Sequence, residues 1–367
     1  HSSYSDGAIN VIPLDYYQAG KNKGYRFVGG SDHSDTYDTG LFVGVGSGCF
    51  TTPDGLFTCI TPSDDKLEKW KRAGEQALAT STPEFLAIRG FEWTSDRFGH
   101  INVYFSQNFS NAKTDGGFAG SMETFWQWFT RAPSVPGVGG SPTSPIPNGG
   151  GADGLGHFNH PHDKCVDNSD PACDWNDYAL IPDAVPRMFG IEVYNPGNNN
   201  DRYMPFYTRA LDKGWYLAPI GSEDEHELKF ADESRAKTVS IVSALTNEGM
   251  RNAWLARRVY ALSPGIHYRL HLESAGHPMG SRFACDIGKN DLTLNLRITD
   301  HDGSTPTGLS TRLYSNTGTL LNTQTGGEVS FTLPTVSSTA EKYYFVRAHS
   351  ADGLSAAYSA PIWVRSR

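Results

Sequence analysis

Five short stretches hold the imidazoles and carboxylates best placed to act together. The chain opens His1-Ser-Ser-Tyr-Ser-Asp6-Gly7, with an imidazole and a carboxylate five residues apart. Ser31-Asp32-His33-Ser34 comes next, then Gly90-Phe91-Glu92-Trp93-Thr94 with Gly99-His100 close behind. Gly156-His157-Phe158-Asn159-His160-Pro161-His162-Asp163 follows, and Pro219-Ile220-Gly221-Ser222-Glu223-Asp224-Glu225-His226 closes the series. Imidazole combined with carboxylate suits Zn²⁺, Mn²⁺ or Fe and needs no thiolate. Asp224 and His226 are two apart, so on a strand both would face one way. A carboxylate such as Glu92 can bridge two cations. Two or three divalent ions held together lower the pKa of a shared water and clamp the oxygens of an in-line displacement. The chemistry this composition predicts is hydrolysis by metal-activated water.

The elements that must position these residues read as α/β. Ile9 to Lys23 suits a helix, Tyr25 to Gly29 a short strand, Asp64 to Ala79 a charged helix, and Phe85 to Ile88 and His100 to Phe105 two strands. Residues about 107–156 read as an insertion: Ser134 to Gly154 is rich in Gly, Pro and Ser, and an aromatic helix spans Ser121 to Arg131. Met188 to Tyr194 and Tyr216 to Ile220 resume as strands, Tyr203 to Lys213 and Asn247 to Ala261 as helices. Each chemistry-bearing stretch lies at or near a strand end. In α/β barrels and sheets the C-terminal strand ends share one face, so the stretches can converge there. From about residue 264 the period changes to two. Leu292–Ile298, Thr311–Tyr314, Glu328–Thr332 and Lys342–Arg347 alternate apolar and polar, which predicts a small all-β sandwich over 264–367.

Composition narrows the class. The 367 residues carry a formal charge of −9 with no Lys/Arg cluster, so a general nucleic-acid binder is excluded. No stretch approaches the length of apolar residues that a membrane span needs. The sequence begins at His1 without a Met and reads as a mature or trimmed product. Cys49 and Cys59 flank one short loop, Cys165 and Cys173 another, and Cys285 is left over as a buried thiol. Local disulfides in both loops would indicate an oxidising compartment, hence a periplasmic or secreted protein; free, partly buried thiols are the other reading. Gly44-x-Gly46-x-Gly48 lacks the strand–loop–helix context of a phosphate loop and reads as a plain loop. Asn108-Phe109-Ser110 fits a glycosylation sequon.

Taken in order, the five stretches resemble the PHP (polymerase and histidinol phosphatase) superfamily. Arg257-Arg258-Val259-Tyr260, Pro278-Met279-Gly280 and the tail from Ala351-Asp352-Gly353 to Ser359-Ala360-Pro361-Ile362-Trp363 resemble the CehA/McbA-type metallohydrolases, in which a β-domain follows the PHP domain. The resemblance implies a distorted (β/α)₇ barrel over residues 1–263 with two or three divalent ions. By position, His1, Glu92 and Asp224 would hold the first metal. Glu92, His100 and His160 would hold the second, and Asp6, His33 and His226 the third. The family usually opens with His-x-His. His1 matches the second of these, so either the chain was trimmed or the first metal has an incomplete shell that the His1 α-amino group could help fill.

Other residues carry two readings each. His157 and His162 either contact substrate, one of them as general acid, or are hydrogen-bonded loop residues. Arg97 either neutralises a substrate phosphate or forms a surface ion pair. Glu192 and Asn195 either orient ligands or form a turn. His267, His271, His277, His301 and His349 lie in or near the β-domain and read as ordinary histidines. Three functions follow. The leading one is hydrolysis of a small-molecule phosphoester. The second is carboxyl-ester or carbamate hydrolysis, which an apolar pocket lined by Trp93, Tyr194 or Trp215 would favour. The third is a non-catalytic, metal-stabilised binding module.

Overall fold

The computed structural model of the chain describes residues 1–37, 39–41, 49–59, 61, 63, 67–112, 122–136, 149–197, 201–336 and 340–367. Gly44 to Gly48, Asp64, Ser121 and residues 137–148 of the Gly- and Pro-rich stretch lie outside these. The chain divides into two compact units. Unit 1 comprises His1–Met188, Asp224–Asp232 and Ser243–Arg251; unit 2 comprises Phe189–Glu223, Glu233–Val242 and Asn252–Arg367.

The helices are α1 (Pro13–Asn22), α2 (Ser34–Tyr37), α3 (Glu68–Thr80), α4 (Met122–Thr130), α5 (Cys173–Tyr178), α6 (Met204–Asp212) and α7 (Asn247–Leu255). The first ten strands are β1 (Phe27–His33), β2 (Cys49–Thr51), β3 (Phe57–Cys59), β4 (Leu86–Ser95), β5 (Gly99–Tyr104), β6 (Leu155–Phe158), β7 (Met188–Tyr194), β8 (Ala218–Gly221), β9 (Lys237–Ser240) and β10 (Val259–Leu262). Local chemistry sets several bounds. Pro13 has no N–H to give and takes the first turn of α1, so this helix starts later than its apolar pattern predicts. The Asp15 carboxylate caps it by accepting from Ile12 N at 2.8 Å.

The expected (β/α)₇ barrel is not present. In unit 1, β1, β4, β5 and β6 form a sheet in that order. Only β1 and β4 run parallel; β4 with β5 and β5 with β6 are antiparallel. A parallel pair needs a crossover of about a dozen residues or more, whereas Asp96, Arg97 and Phe98 alone join β4 to β5. A hairpin therefore stands where a βα unit was expected. Among the described residues helix amounts to 19% and strand to 34%, too little helix to follow every strand of a barrel, and no closed barrel forms.

β4 is the spine of unit 1, and its period of two sorts its side chains. Ala87 packs with Tyr17 of α1 and Ala77 of α3. Phe91 meets Trp128 of α4 at 5.5 Å and Trp93 meets Phe125 at 4.8 Å. Glu92 and Thr94, the residues between and beyond, project the other way. α1 and α3 are tied together where Leu14 N donates to Gln76 Oε1 at 3.0 Å, and α1 is tied to β4 where Tyr17 OH donates to the Ile88 carbonyl at 3.1 Å. Cys49 and Cys59 stand opposite each other in the β2–β3 hairpin and are disulfide-bonded, as are Cys165 and Cys173; Cys285 is a free, buried thiol. The Asn108 amide is buried and donates to the carbonyls of Pro133 and Gly150, so the sequon there is a structural contact and offers no acceptor for a glycan.

In unit 2 the remaining strands are β11 (Arg269–Ser274), β12 (His277–Pro278), β13 (Arg282–Cys285), β14 (Thr293–Thr299), β15 (Ser310–Ser315), β16 (Thr319–Thr325), β17 (Glu328–Thr332), β18 (Lys342–His349), β19 (Ser355–Tyr358) and β20 (Ile362–Ser366). The four segments with period two are β14, β15, β17 and β18. One sheet runs β13-β20-β18-β19-β10-β9 with β15 beside β18, and another runs β12-β11-β14-β17. A single cut at residue 263 does not describe this unit. β10 precedes that cut yet pairs with β19, Ala261 opposite Tyr358, so the ladder binds it to the tail. Arg347 is buried at the centre, paired with Asp201 and 4.5 Å from the Tyr358 ring centroid.

Close packing of β1 yields a prediction. A Cβ at Gly30 would lie 2.2 Å from the Tyr16 hydroxyl. Gly30→Ala should therefore overpack the α1–β1 contact and cost about 1–3 kcal/mol, read as a lowered midpoint in chemical denaturation. An unchanged midpoint would show that the helix can move aside freely.

Candidate metal centre

All eight nominated ligands lie in unit 1, and they form one continuous cluster. His33 ends β1 and stands directly across the parallel ladder from Glu92 of β4. Thr94 stands opposite His100 of β5, and Glu92 opposite Asn102. His160 follows β6 in a left-handed conformation (φ 26°). The hairpin that replaces the expected crossover thus still brings three strand ends and one loop to a single place.

Glu92 is the centre of the cluster, with its side chain only 2% exposed. Its Oε1 lies 3.1 Å from His100 Nδ1, 3.5 Å from His160 Nε2 and 2.7 Å from Asn159 Nδ2, which donates to it. Its Oε2 lies 2.8 Å from His33 Nδ1 and 3.5 Å from His1 Nε2. Each oxygen therefore serves a separate set of imidazoles. Burial works against the charge of Glu92, but these imidazoles, His100 foremost, hold its carboxyl well below the usual range. His1 Nε2 also meets Asp224 Oδ1 at 3.1 Å, and His33 Nε2 meets Asp6 Oδ2 at 3.2 Å. His226 Nε2 lies 3.5 Å from Asp6 Oδ1. Burial opposes the charge of Asp6 too, yet hydrogen bonds from His226 and His33 hold its carboxyl far below the ordinary value.

The donors sort into Glu92, His100 and His160 on one side and His1, Asp6, His33 and His226 on the other. The first set matches the expected second metal. The second set merges the expected first and third, with Asp224 touching both His1 and His226. The residues fit divalent cations by the chemistry of their donors, all imidazole and carboxylate. They fit by an orphaned atom as well: His100 Nε2 is buried without a hydrogen-bond partner, an arrangement that is costly unless a ligand satisfies it. A third cluster, His162, Cys165 and Asp174, includes a sulfur already committed to Cys173.

The loop that delivers His1 and Asp6 is fixed by Asp32. This carboxylate is fully buried and accepts from Ser2 N at 2.5 Å, Ser2 Oγ at 2.9 Å and Ser5 Oγ at 2.7 Å. Gly7 closes the turn, because a Cβ there would meet the His1 carbonyl carbon at 2.7 Å. His1 N donates to the Glu225 carbonyl at 2.7 Å, which ties this loop to the segment carrying Asp224 and His226. That segment is not a strand as expected. Asp224 is left-handed (φ 46°), a conformation Asp tolerates better than most residues, and His226 Nδ1 lies 3.0 Å from the Asp224 carbonyl oxygen. Asp32, Asn159 and Thr94, whose hydroxyl is 2.6 Å from His33 Nδ1, escaped sequence reasoning. The available signal was their position inside the motifs, beside or two residues from a ligand.

The three nominated catalytic residues are not among the clustered donors. His157 is buried on β6, stacked on Tyr104 with its Nε2 3.4 Å from Asn102 Nδ2, and burial lowers it to about 4. Burial thus favours its uncharged form, which works against a general-acid role. His162 Nδ1 lies 3.1 Å from Asp174 Oδ2, outside the cluster. Arg97 is half-exposed and 3.8 Å from Asp170. Glu192 and Asn195, in unit 2, hydrogen-bond each other at 2.7 Å. A cleft of about 430 Å³ opens over the cluster, walled also by Asp96, Asp163 and Lys164. Trp93, Tyr194 and Trp215 do not line it among the described residues; all three are packed in cores. Comparison with protein-family models, curated proteins and solved structures finds no match to this chain.

Protonation sets a test of metal binding. Burial opposes the charge on His33, but Asp6 and Glu92 override it and lift its pKa from 6.5 to about 10 in the metal-free chain. Its contribution to metal-free stability is thus fully present below pH 6.5 and lost as pH rises through 10. Metal ligation runs the other way, since His33 must shed its proton to bind. Titration with Zn²⁺ at pH 7 in two buffers of different ionisation enthalpy should show release of at least one proton, and affinity should climb with pH. Identical heats in both buffers would count against His33 as a ligand.

Proposed function

We propose that the chain is a metal-dependent hydrolase acting on small phosphoesters. The observation that carries this reading is Glu92, a buried carboxylate whose two oxygens face two separate imidazole sets at the floor of an open cleft. Divalent ions bound there would supply Lewis acidity and a water of lowered pKa. Glu92 fixes the spacing of the two donor sets. His100 and His160 complete the buried side, and His1, His33, His226, Asp6 and Asp224 the side nearer solvent. Asn159 and Thr94 hold Glu92 and His33 in place, which fixes ring and carboxylate orientation.

The hard donor set and the ordered resemblance to PHP-type enzymes favour phosphoesters. The carbamate alternative loses its expected apolar pocket, because the three aromatics that would form it are internal. The two disulfides support an oxidising compartment, periplasmic or secreted, and no helix among the described residues is long and apolar enough to cross a membrane.

The wild type should release p-nitrophenol from p-nitrophenyl phosphate or its bis-ester, and a chelator should abolish this. Glu92→Gln should lower kcat at least about 100-fold, as expected for removal of a group central to transition-state electrostatics. Turnover that survives both chelator and Glu92→Gln would sink the proposal. A binding function that survives Glu92→Gln, with no turnover by the wild type, would favour the non-catalytic reading.

A further inference from the structure

An anionic substrate faces a cleft that is itself acidic. Six carboxylates line it, and Lys164 is the one Lys or Arg side chain among the described lining residues. Carboxylates at the wall repel a phosphate group, so a fixed cation beside them is the side chain best placed to draw the anion in. Arg97 does not provide it. Its guanidinium lies over the Phe98 ring and beside Asp170, away from the cleft.

The backbone holds Lys164 in place. It follows the ligand His160 by four residues, and Asp163 N donates to the His160 carbonyl at 3.2 Å. Cys165 N donates to the His162 carbonyl at 3.2 Å, and the Cys165–Cys173 disulfide closes the loop at the very next residue. Asp174 grips His162 twice, through its backbone N at 2.7 Å and its ring at 3.1 Å. The Lys164 ammonium then lies 3.8 Å from Asp96 Oδ1, and that same oxygen lies 3.7 Å from His100 Nε2. One carboxylate oxygen therefore stands between the ammonium and a ligand of the buried donor set. At this separation, with both side chains more than a third exposed, the ion pair is weak, and an incoming anion can displace Asp96 at small cost.

We propose that Lys164 recognises the anionic group of the substrate and gives the site a preference for phosphomonoesters over diesters, an inference that rests on the phosphoesterase reading. The physical ground is charge. A monoester presents a dianion and a diester a monoanion, so by Coulomb's law the ammonium draws the first about twice as strongly at equal distance.

The test uses the metal-loaded chain as wild type, Lys164→Gln, Lys164→Arg and Arg97→Gln. KM and kcat are measured on p-nitrophenyl phosphate and its bis-ester, and the Kd of inorganic phosphate by calorimetry. Lys164→Gln should raise the monoester KM and the phosphate Kd about tenfold, the effect of losing one charge-assisted contact. Its kcat should change little and its diester KM much less than the monoester KM. Lys164→Arg keeps the charge and should recover most of the affinity. Unchanged KM and Kd in Lys164→Gln, with chelator-sensitive wild-type turnover intact, would overturn the assignment, as would a loss seen in Arg97→Gln instead. A wild type without chelator-sensitive turnover fails the phosphoesterase reading itself. The phosphate Kd then decides on Lys164 alone: a Lys164-dependent Kd upholds anion recognition, and equal Kd values end it.

Discussion

A carboxylate buried almost completely from water is costly unless something nearby compensates its charge, and unit 1 is built around meeting that demand at Glu92. Imidazoles approach both of its oxygens and an amide donates to one of them. Three strands, the loop after β6 and the opening loop of the chain must all arrive within a few ångströms for this to hold. The parallel β1–β4 register that sets His33 against Glu92, and the short β4–β5 turn that returns His100, therefore serve the charge of Glu92 as much as the architecture.

Asp32 shows the contrasting solution. It is as deeply buried as Glu92, but its near neighbours are neutral donors: one backbone N–H and the hydroxyls of Ser2 and Ser5. A carboxylate served in this way shapes a loop. One surrounded by imidazoles, on the same sheet and one strand away, can hold cations. The surroundings of two acidic side chains thus set apart a loop-shaping carboxylate from one among imidazoles where residue type alone does not.

Much of the site was legible in the sequence because ligand chemistry restricts residue type, and ordered motifs preserve it. Glu92, His100, His160, His33 and the opening His1–Asp6 turn all converge. The period-two segments of the tail are strands, and β7 spans the expected residues. Topology was less legible. A short apolar run reads the same whether its neighbour is parallel or antiparallel, so the hairpin closed by the three-residue turn at Asp96–Phe98 leaves no mark in the apolar pattern. His157 and His160 share one motif, yet only His160 reaches the cluster. His157 shares the sheet face of Glu92, across the ladder from Asn102, but Asn102 and Tyr104 take up its ring and leave it one strand further from the carboxylate. Arg97 stands between Glu92 and His100 in the sequence but pairs with Asp170, whereas nothing in the sequence pattern singles out Lys164, which the disulfide and the Asp174 contacts bring to the cleft.

The pairings at the centre differ greatly in reach along the chain. Glu92 and His100 are eight residues apart, within a single hairpin, while His1 and Asp224 are separated by 223. Contacts of the first kind close a small loop and form early; contacts of the second kind must wait for most of the chain, because closing a long loop carries the larger entropy cost. A chain in which the segment after β8 has not yet docked therefore presents the donor set without Asp224 and His226. The complete set exists only after the segment carrying Asp224 and His226 has docked, so the cluster is finished last, by the longest-range contact in it.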